Sequence, residues 1–183
     1  MNTLPDYLAT GLEIVFVGTN PGAYSAETGH YYAHPRNRFW GAVNKSGLLD
    51  EPLDATRDHL VLEQKVGLTD LVKKPTVSAS KLRASDYRGE SSTFKQKLFR
   101  FKPIIVCFHG VTAYGNYLRY DEGTSENPKL GLQTRRIGDT VVFVVPNPSP
   151  ANASYQLCAL YQLCALIEWY QKLSKLRDRM RSL

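Results

Sequence analysis

The chain has 183 residues, of which 43% are hydrophobic and 22% charged, with a formal net charge of +6. That is enough chain for one domain with a full core, at ordinary globular composition. Its longest apolar runs fall far short of the roughly 18 residues that a membrane-spanning helix needs. Three cysteines, Cys107, Cys158 and Cys164, show no CxxC spacing, and their odd count argues against a disulfide framework and for a reducing compartment. With the four histidines they offer no metal-ligand spacing, so neither a metal nor a cofactor is expected. The first ten residues lack an apolar stretch behind basic residues, so no signal peptide is expected and the chain is placed in the cytoplasm or nucleus, not outside the cell. The positive excess fits a nucleic-acid partner, although many basic proteins bind none.

In chain order, residues 1–12 read as a lead-in and Glu13–Val17 as a strand buried on both faces. Gly18-Thr19-Asn20-Pro21-Gly22 is a sharp turn whose glycines let backbone approach a ligand. Asn37 caps a helix carrying Phe39, Trp40, Ala42 and Val43 and ending near Gly47. Arg57–Lys65 has helical spacing, and Gly67–Val72 reads as a buried turn or short strand. Lys73–Ser92, rich in serine, reads as a surface loop with helical pieces, and Thr93–Arg100 as a helix. Pro103–Phe108 is the second clear strand, followed by the turn His109-Gly110, a helix Val111–Leu118 and a loop Asp121–Gly131. Leu132–Ile137 and Thr140–Val145 form a hairpin about Gly138-Asp139, Pro146–Pro150 is a rigid loop, and a last helix runs from about Asn152 to Met180. Within it Tyr155–Leu160 is repeated at once as Tyr161–Leu166, and six residues turn a helix by about 600°, so the two copies face different ways. A small tolerated duplication is the plain reading, and an apolar dimer face the sharper one; a monomer is expected. Alternating strands and helices predict a single three-layer α/β/α domain over residues 1–183 with a central, mostly parallel sheet. The turns after three apolar strands, at Gly18–Gly22, His109-Gly110 and Asn147–Pro150, would then gather at one edge of the sheet.

The first of these turns carries a longer pattern. After Gly18–Gly22 comes Gly29-His30-Tyr31-Tyr32-Ala33-His34-Pro35-Arg36-Asn37-Arg38-Phe39-Trp40. Together the two strings resemble the mismatch-specific uracil/thymine DNA glycosylases of the uracil-DNA glycosylase superfamily. The likeness extends to Gly67–Val72 and to Asn147-Pro148-Ser149. It implies a monofunctional glycosylase of base excision repair that flips uracil, or another altered pyrimidine, out of mismatched double-stranded DNA. Some thermophilic branches of that superfamily carry a four-cysteine iron–sulfur cluster, for which three thiols are too few.

The resemblance implies roles residue by residue. Asn20 falls at the water-positioning asparagine; its amide oxygen can hold a water but cannot take a proton. The plain reading is turn chemistry, since asparagine before proline favours turns. Asp70 stands where some relatives have lysine or asparagine, and a carboxylate there could act as general base. It could equally cap a helix or pair with Lys73 or Arg83. Tyr32 falls where a ring stacks on the flipped base, and the backbone of Thr19 and Gly22 could read the base carbonyls. Ser25 faces the pyrimidine edge in relatives, beside an unusually bulky Tyr24. Asn147, Ser149, Pro150, Ala151 and Asn152 match the loop that enters the duplex, with Ala151 and Ala153 in place of a bulky wedge and an arginine. His30, His34 and His109 are weaker candidates, and the basic tail Lys172, Lys175, Arg177, Arg179 and Arg181 reads as a solvated helix face. Two rival readings remain, a nucleotide- or phosphate-binding α/β protein and a non-catalytic nucleic-acid binder. The first lacks both the P-loop lysine and the three-glycine dinucleotide fingerprint.

Overall fold

In the computed structural model, residues 3–150 and 159–182 are described. Five strands form one sheet in the order β2-β1-β3-β5-β4: β1 Ile14–Gly18, β2 Val66–Asp70, β3 Ile105–His109, β4 Gly131–Ile137 and β5 Thr140–Val145. β1 pairs in parallel with β2 and β3, β3 in parallel with β5, and only β4 runs antiparallel. Every residue of β1, β2, β3 and β5 is buried, as expected of strands covered on both faces.

Alternate residues feed two cores. Ile14, Phe16, Cys107, Val141, Phe143 and Val145 face α2 (Phe39–Val43) and α5 (Ala159–Arg181), meeting Phe39, Trp40, Leu166 and Tyr170. Val15, Val17, Val106, Phe108, Val142 and Val144 face α3 (Ala84–Phe101) and α4 (Val111–Tyr120), meeting Phe94, Leu98, Tyr114 and Tyr117. The result is the expected three-layer, mostly parallel architecture. No described helix is long and apolar enough to cross a membrane.

Several local expectations change. The serine-rich stretch before Thr93 is not a loop throughout, because α3 begins at Ala84. Asp86 accepts from the Arg83 N–H at the helix start, and the Ser91 hydroxyl donates to the Tyr87 carbonyl within it. Tyr87, Ser91, Phe94 and Leu98 then bury one face, so spacing outweighs serine content. A helix α1, Ala23–Thr28, follows the first turn where none was expected. Ala55–Gln64 is helical but tight, of the 3₁₀ kind. Asn37 caps α2 as expected, its Oδ1 accepting from the Phe39 N–H at 2.9 Å. α5 is described from Ala159; its expected start near Asn152 and most of the first repeat copy lie outside the described residues. In the second copy Leu166 is buried while Tyr161 is exposed. The basic tail is not wholly a solvated face. Arg177 is buried and donates to the Leu48 carbonyl at 2.9 Å, and Arg181 pairs with Glu13.

Gly67 shows how closely β2 is packed. A Cβ there would stand 2.7 Å from the Tyr7 carbonyl oxygen and 2.7 Å from Leu12 Cδ1. The Tyr7 backbone is held by two bonds to Leu68, at 2.9 and 3.0 Å, and cannot withdraw without breaking them. Gly67→Ala is therefore expected to destabilise the fold by about 1–3 kcal/mol, the usual cost of overpacking. A thermal melt that matches the wild type would contradict this packing.

Candidate active site at the carboxyl ends of the strands

The parallel pairing brings the ends of four strands to one edge. Gly18 pairs with Asp70, and His109 pairs with Val145 just before the 146–150 loop. A Cβ on Gly110 would stand 3.3 Å from Asn147 Cβ, so the turns after β3 and β5 touch. Beyond Gly18 the chain stays zipped to the segment after β2. Leu71 and Val72 N–H groups donate to the Gly18 and Thr19 carbonyls, Thr76 N–H to the Pro21 carbonyl, and Ala23 N–H to the Thr76 carbonyl. The turn holding Asn20 is thus clamped along its length by residues 71–76.

The same clamp fixes the Asn20 side chain. Its Nδ2 donates to the Lys74 carbonyl at 2.9 Å, to Thr76 Oγ1 at 2.7 Å and to the Pro21 carbonyl at 3.2 Å. Carbonyl oxygens only accept, so the nitrogen must face them and Oδ1 is left as the acceptor. This goes beyond turn chemistry, which would need only the local bond to Pro21. Thr76 was missed from the sequence because it lies in a polar, irregular stretch with no spacing signal.

Asp70 ends β2 beside Gly18, whose missing side chain makes room for it. A Cβ on Gly18 would collide with Asp70 Oδ1. The carboxyl is 4% exposed, and Oδ2 is buried without a hydrogen-bond partner. Burial pushes its pKa up to about 7, with Asp6 adding to the rise, while Lys73 and Lys97 pull the other way. Among the described residues Asp70 forms neither a helix cap nor an ion pair with Lys73 or Arg83. Lys73 is taken by Asp6 at 2.8 Å, as is Lys97 at 2.7 Å. Arg83 stands at the start of α3. Burial opposes the charge of Asp6, but these lysines and the Thr69 hydroxyl hold its carboxyl below the usual range. Asp6 was read as part of a lead-in; nothing in its local sequence marks it as the counter-charge beneath the site.

Tyr32 adopts φ +54°, the left-handed region that a bulky residue enters only under constraint. Its ring stacks on Phe39 at 4.1 Å, and its hydroxyl bonds His109 Nδ1 at 2.8 Å. Phe39 therefore occupies one face of the ring expected to stack on a base, and Tyr32 as a residue is half-buried. Asp58, fully buried, anchors the preceding residues by accepting from the Tyr31 N–H at 2.7 Å and contacting His30 Nδ1 at 3.3 Å. His30 is thus held against Asp58, and His34 Nδ1 accepts from the Arg36 N–H within its own turn.

The remaining sequence candidates fall as follows. The Thr19 and Gly22 carbonyls are engaged by Val72 and Ala26, so N–H groups are what these residues offer a ligand. Ser25 is buried in α1 and accepts from the Ala33 N–H at 3.2 Å. Tyr24 is 44% exposed, edge-on to His34 at 5.5 Å, and so does not fill the site. Asn147 Oδ1 accepts from the Ser149 N–H at 2.9 Å, and the Pro148 carbonyl accepts from the Arg38 N–H at 3.1 Å. This loop lines a cavity with Arg38 and Gln162. Pro150 closes the described part of the loop; Ala151, Asn152 and Ala153 lie outside the described residues. Among the described residues no three His, Cys, Asp or Glu side chains converge as metal ligands do.

The Asp70 environment has a thermodynamic consequence. A carboxyl whose folded pKa stands near 7, against an unfolded value near 4, binds more protons when folded. Stability is therefore lost as pH rises between those values and stays reduced above them. Asp70→Asn removes the buried charge, so it should raise the melting temperature at about pH 8 and change it much less at about pH 4. Equal shifts at both pH values would contradict the burial of a charged Asp70.

Residues 5–173 match the uracil DNA glycosylase superfamily. The fold is similar to the solution NMR structure of a candidate uracil DNA glycosylase from Methanosarcina acetivorans, with a TM-score of 0.56 at 21% identity over 92% of this chain and 97% of that one. With the family matched along most of its length, this chain belongs to the uracil DNA glycosylase superfamily.

Proposed function

We propose that this protein is a monofunctional, mismatch-specific DNA glycosylase that hydrolyses the N-glycosidic bond of uracil in double-stranded DNA and leaves an abasic site. The observation that carries the reading is the pairing at one strand edge of an acceptor-oriented Asn20 amide with a buried carboxyl, Asp70, whose pKa stands near neutrality. A base that ionises near the operating pH is suited to taking a proton from water.

The chemistry follows from those two groups. The flipped nucleotide places its sugar over the Gly18–Gly22 turn. Asn20 Oδ1 accepts a hydrogen bond from a water, and Asp70 removes the proton from that water as its oxygen bonds to the anomeric carbon. The glycosidic bond breaks and its electron pair leaves with the base, whose charge the N–H groups of Thr19 and Gly22 are placed to meet. Tyr32 and Ser25 flank the base, while Asn147, Ser149 and Pro150, continuing into Ala151 and Asn152, approach the duplex. The loop after β5 suits phosphate contacts rather than base reading. The chain acts as a monomer on its duplex, without metal or membrane.

Incubation with duplexes carrying a single uracil, followed by alkali, tests the reading. Wild-type protein should nick the uracil strand, and Asn20→Ala should retain duplex binding while losing excision. Full activity in Asn20→Ala would remove that residue from the mechanism, and absence of cleavage by the wild type would favour a non-catalytic binder. Binding to an abasic duplex should also weaken as salt rises, with log K linear in log salt, because the net charge of +6 implies counterion release from phosphates. A flat salt response would count against a DNA partner.

A further inference from the structure

Behind the site lies a chain of three polar side chains that the proposed water activation does not use. The Tyr32 hydroxyl bonds His109 Nδ1 at 2.8 Å, and His109 Nε2 bonds the Tyr170 hydroxyl at 2.8 Å. The chain runs from the partly exposed Tyr32 through β3 to α5, where Tyr170 is 0% exposed. Its direction can be worked out from hydrogen-bond accounting.

Tyr170 starts the argument. Among the described residues its hydroxyl has only His109 as a partner. If it accepted from an Nε2–H, its own proton would be buried with nothing to bond, which proteins avoid. Tyr170 therefore donates, and Nε2 is the acceptor. His109 is neutral: it is 2% exposed, its ring stacks on Phe16 at 5.3 Å and 7°, and burial pushes its pKa down to about 3. A neutral imidazole has one N–H, so the proton sits on Nδ1 and is donated to the Tyr32 oxygen.

Tyr32 is then left with a proton that His109 cannot accept. Its oxygen lies at the end of β1, 3.8 Å from where a Cβ on Gly18 would stand. Asp70 Oδ1 overhangs Gly18 as well, while Asp70 Oδ2 has no hydrogen-bond partner. The strained backbone of Tyr32 and its stack on Phe39 fix the ring. We propose that Tyr170 and His109 act as positioning residues that orient the Tyr32 hydroxyl as a hydrogen-bond donor into the site, toward a carbonyl oxygen of the bound pyrimidine. The ligand class rests on the glycosylase reading; the hydrogen-bond direction does not. A donor to a carbonyl strengthens as negative charge gathers on the departing base, so it acts on the chemical step more than on substrate binding.

The tautomer is read directly by long-range ¹⁵N–¹H correlation spectra of the wild-type protein labelled in histidine. His109 should carry its proton on Nδ1, with Nε2 bare, near neutral pH. A proton on Nε2, or on both nitrogens, would overturn the proposal whatever the excision assay gives. Tyr170→Phe should abolish the Nδ1 preference, because Nε2 then has no donor facing it. Tyr32→Phe keeps the ring and its stack. It should lower the single-turnover excision rate by about tenfold or more with KM changed less than about twofold, and an unchanged rate would overturn the donor role. If the wild type cleaves no uracil duplex, the glycosylase reading fails separately. The His109 spectra of the wild type and of Tyr170→Phe then remain the test of the hydrogen-bond direction, and an Nε2 proton still overturns it.

Discussion

The parallel register of β1 between β2 and β3 is the constraint on which the rest of the structure depends. It sets Gly18 against Asp70 and brings His109 to the same edge, so groups from three separate stretches of chain meet without any loop having to reach for them. The absence of a side chain at Gly18 matters as much as the pairing, since any Cβ there would displace the Asp70 carboxyl. Slipping one strand by a single residue would turn Asp70 to the opposite face of the sheet and empty the site. Burial of every residue in these strands makes such a slip costly, so the core and the chemistry are secured by the same packing.

Around that edge the charges are arranged in two tiers. Asp70 sits innermost with one oxygen unpaired, while Lys73 and Lys97 are both drawn to Asp6. Were either lysine to pair directly with Asp70, its carboxyl would be a tightly held ion, a poor proton acceptor near neutrality. Asp6 thus competes for the cations and leaves burial to dominate the Asp70 environment. The Asn20 amide is managed differently. Its nitrogen is saturated by backbone and Thr76, so the oxygen is selected by elimination rather than by a charge. A neutral acceptor and an adjustable base are complementary means of holding and activating one water.

How much of this was legible in the sequence depended on range. β1, β3 and β5 stood out as apolar runs, and the convergence of their turns followed from parallel pairing alone. Asn20, Tyr32 and Asn147 were marked by the strings around Gly18–Trp40 and Asn147–Ser149. What stayed hidden was long-range pairing: Asp6 lies 67 residues from Lys73, Asn20 56 from Thr76 and His109 61 from Tyr170. No periodicity or composition encodes such pairs. The first half of α3 was hidden by its serines, of which Ser91 bonds within the helix, and Arg177 by its place in a basic tail, where charge alone suggested solvent. His109 was singled out for its position at a strand end, but its burial and its bonds to Tyr32 and Tyr170 could not be read from that position.

The pH dependence of single-turnover uracil excision tests the central claim most directly. Between about pH 5 and about pH 9 the rate should rise as Asp70 loses its proton, with its midpoint near 7 and a plateau above about 8, and the Asp70→Asn rate should be at least about tenfold lower, about 1.4 kcal/mol of barrier, with that rise removed. A wild-type rate that is flat across this range, or an Asp70→Asn protein that follows the wild-type curve, would contradict a base-activated water at this strand edge.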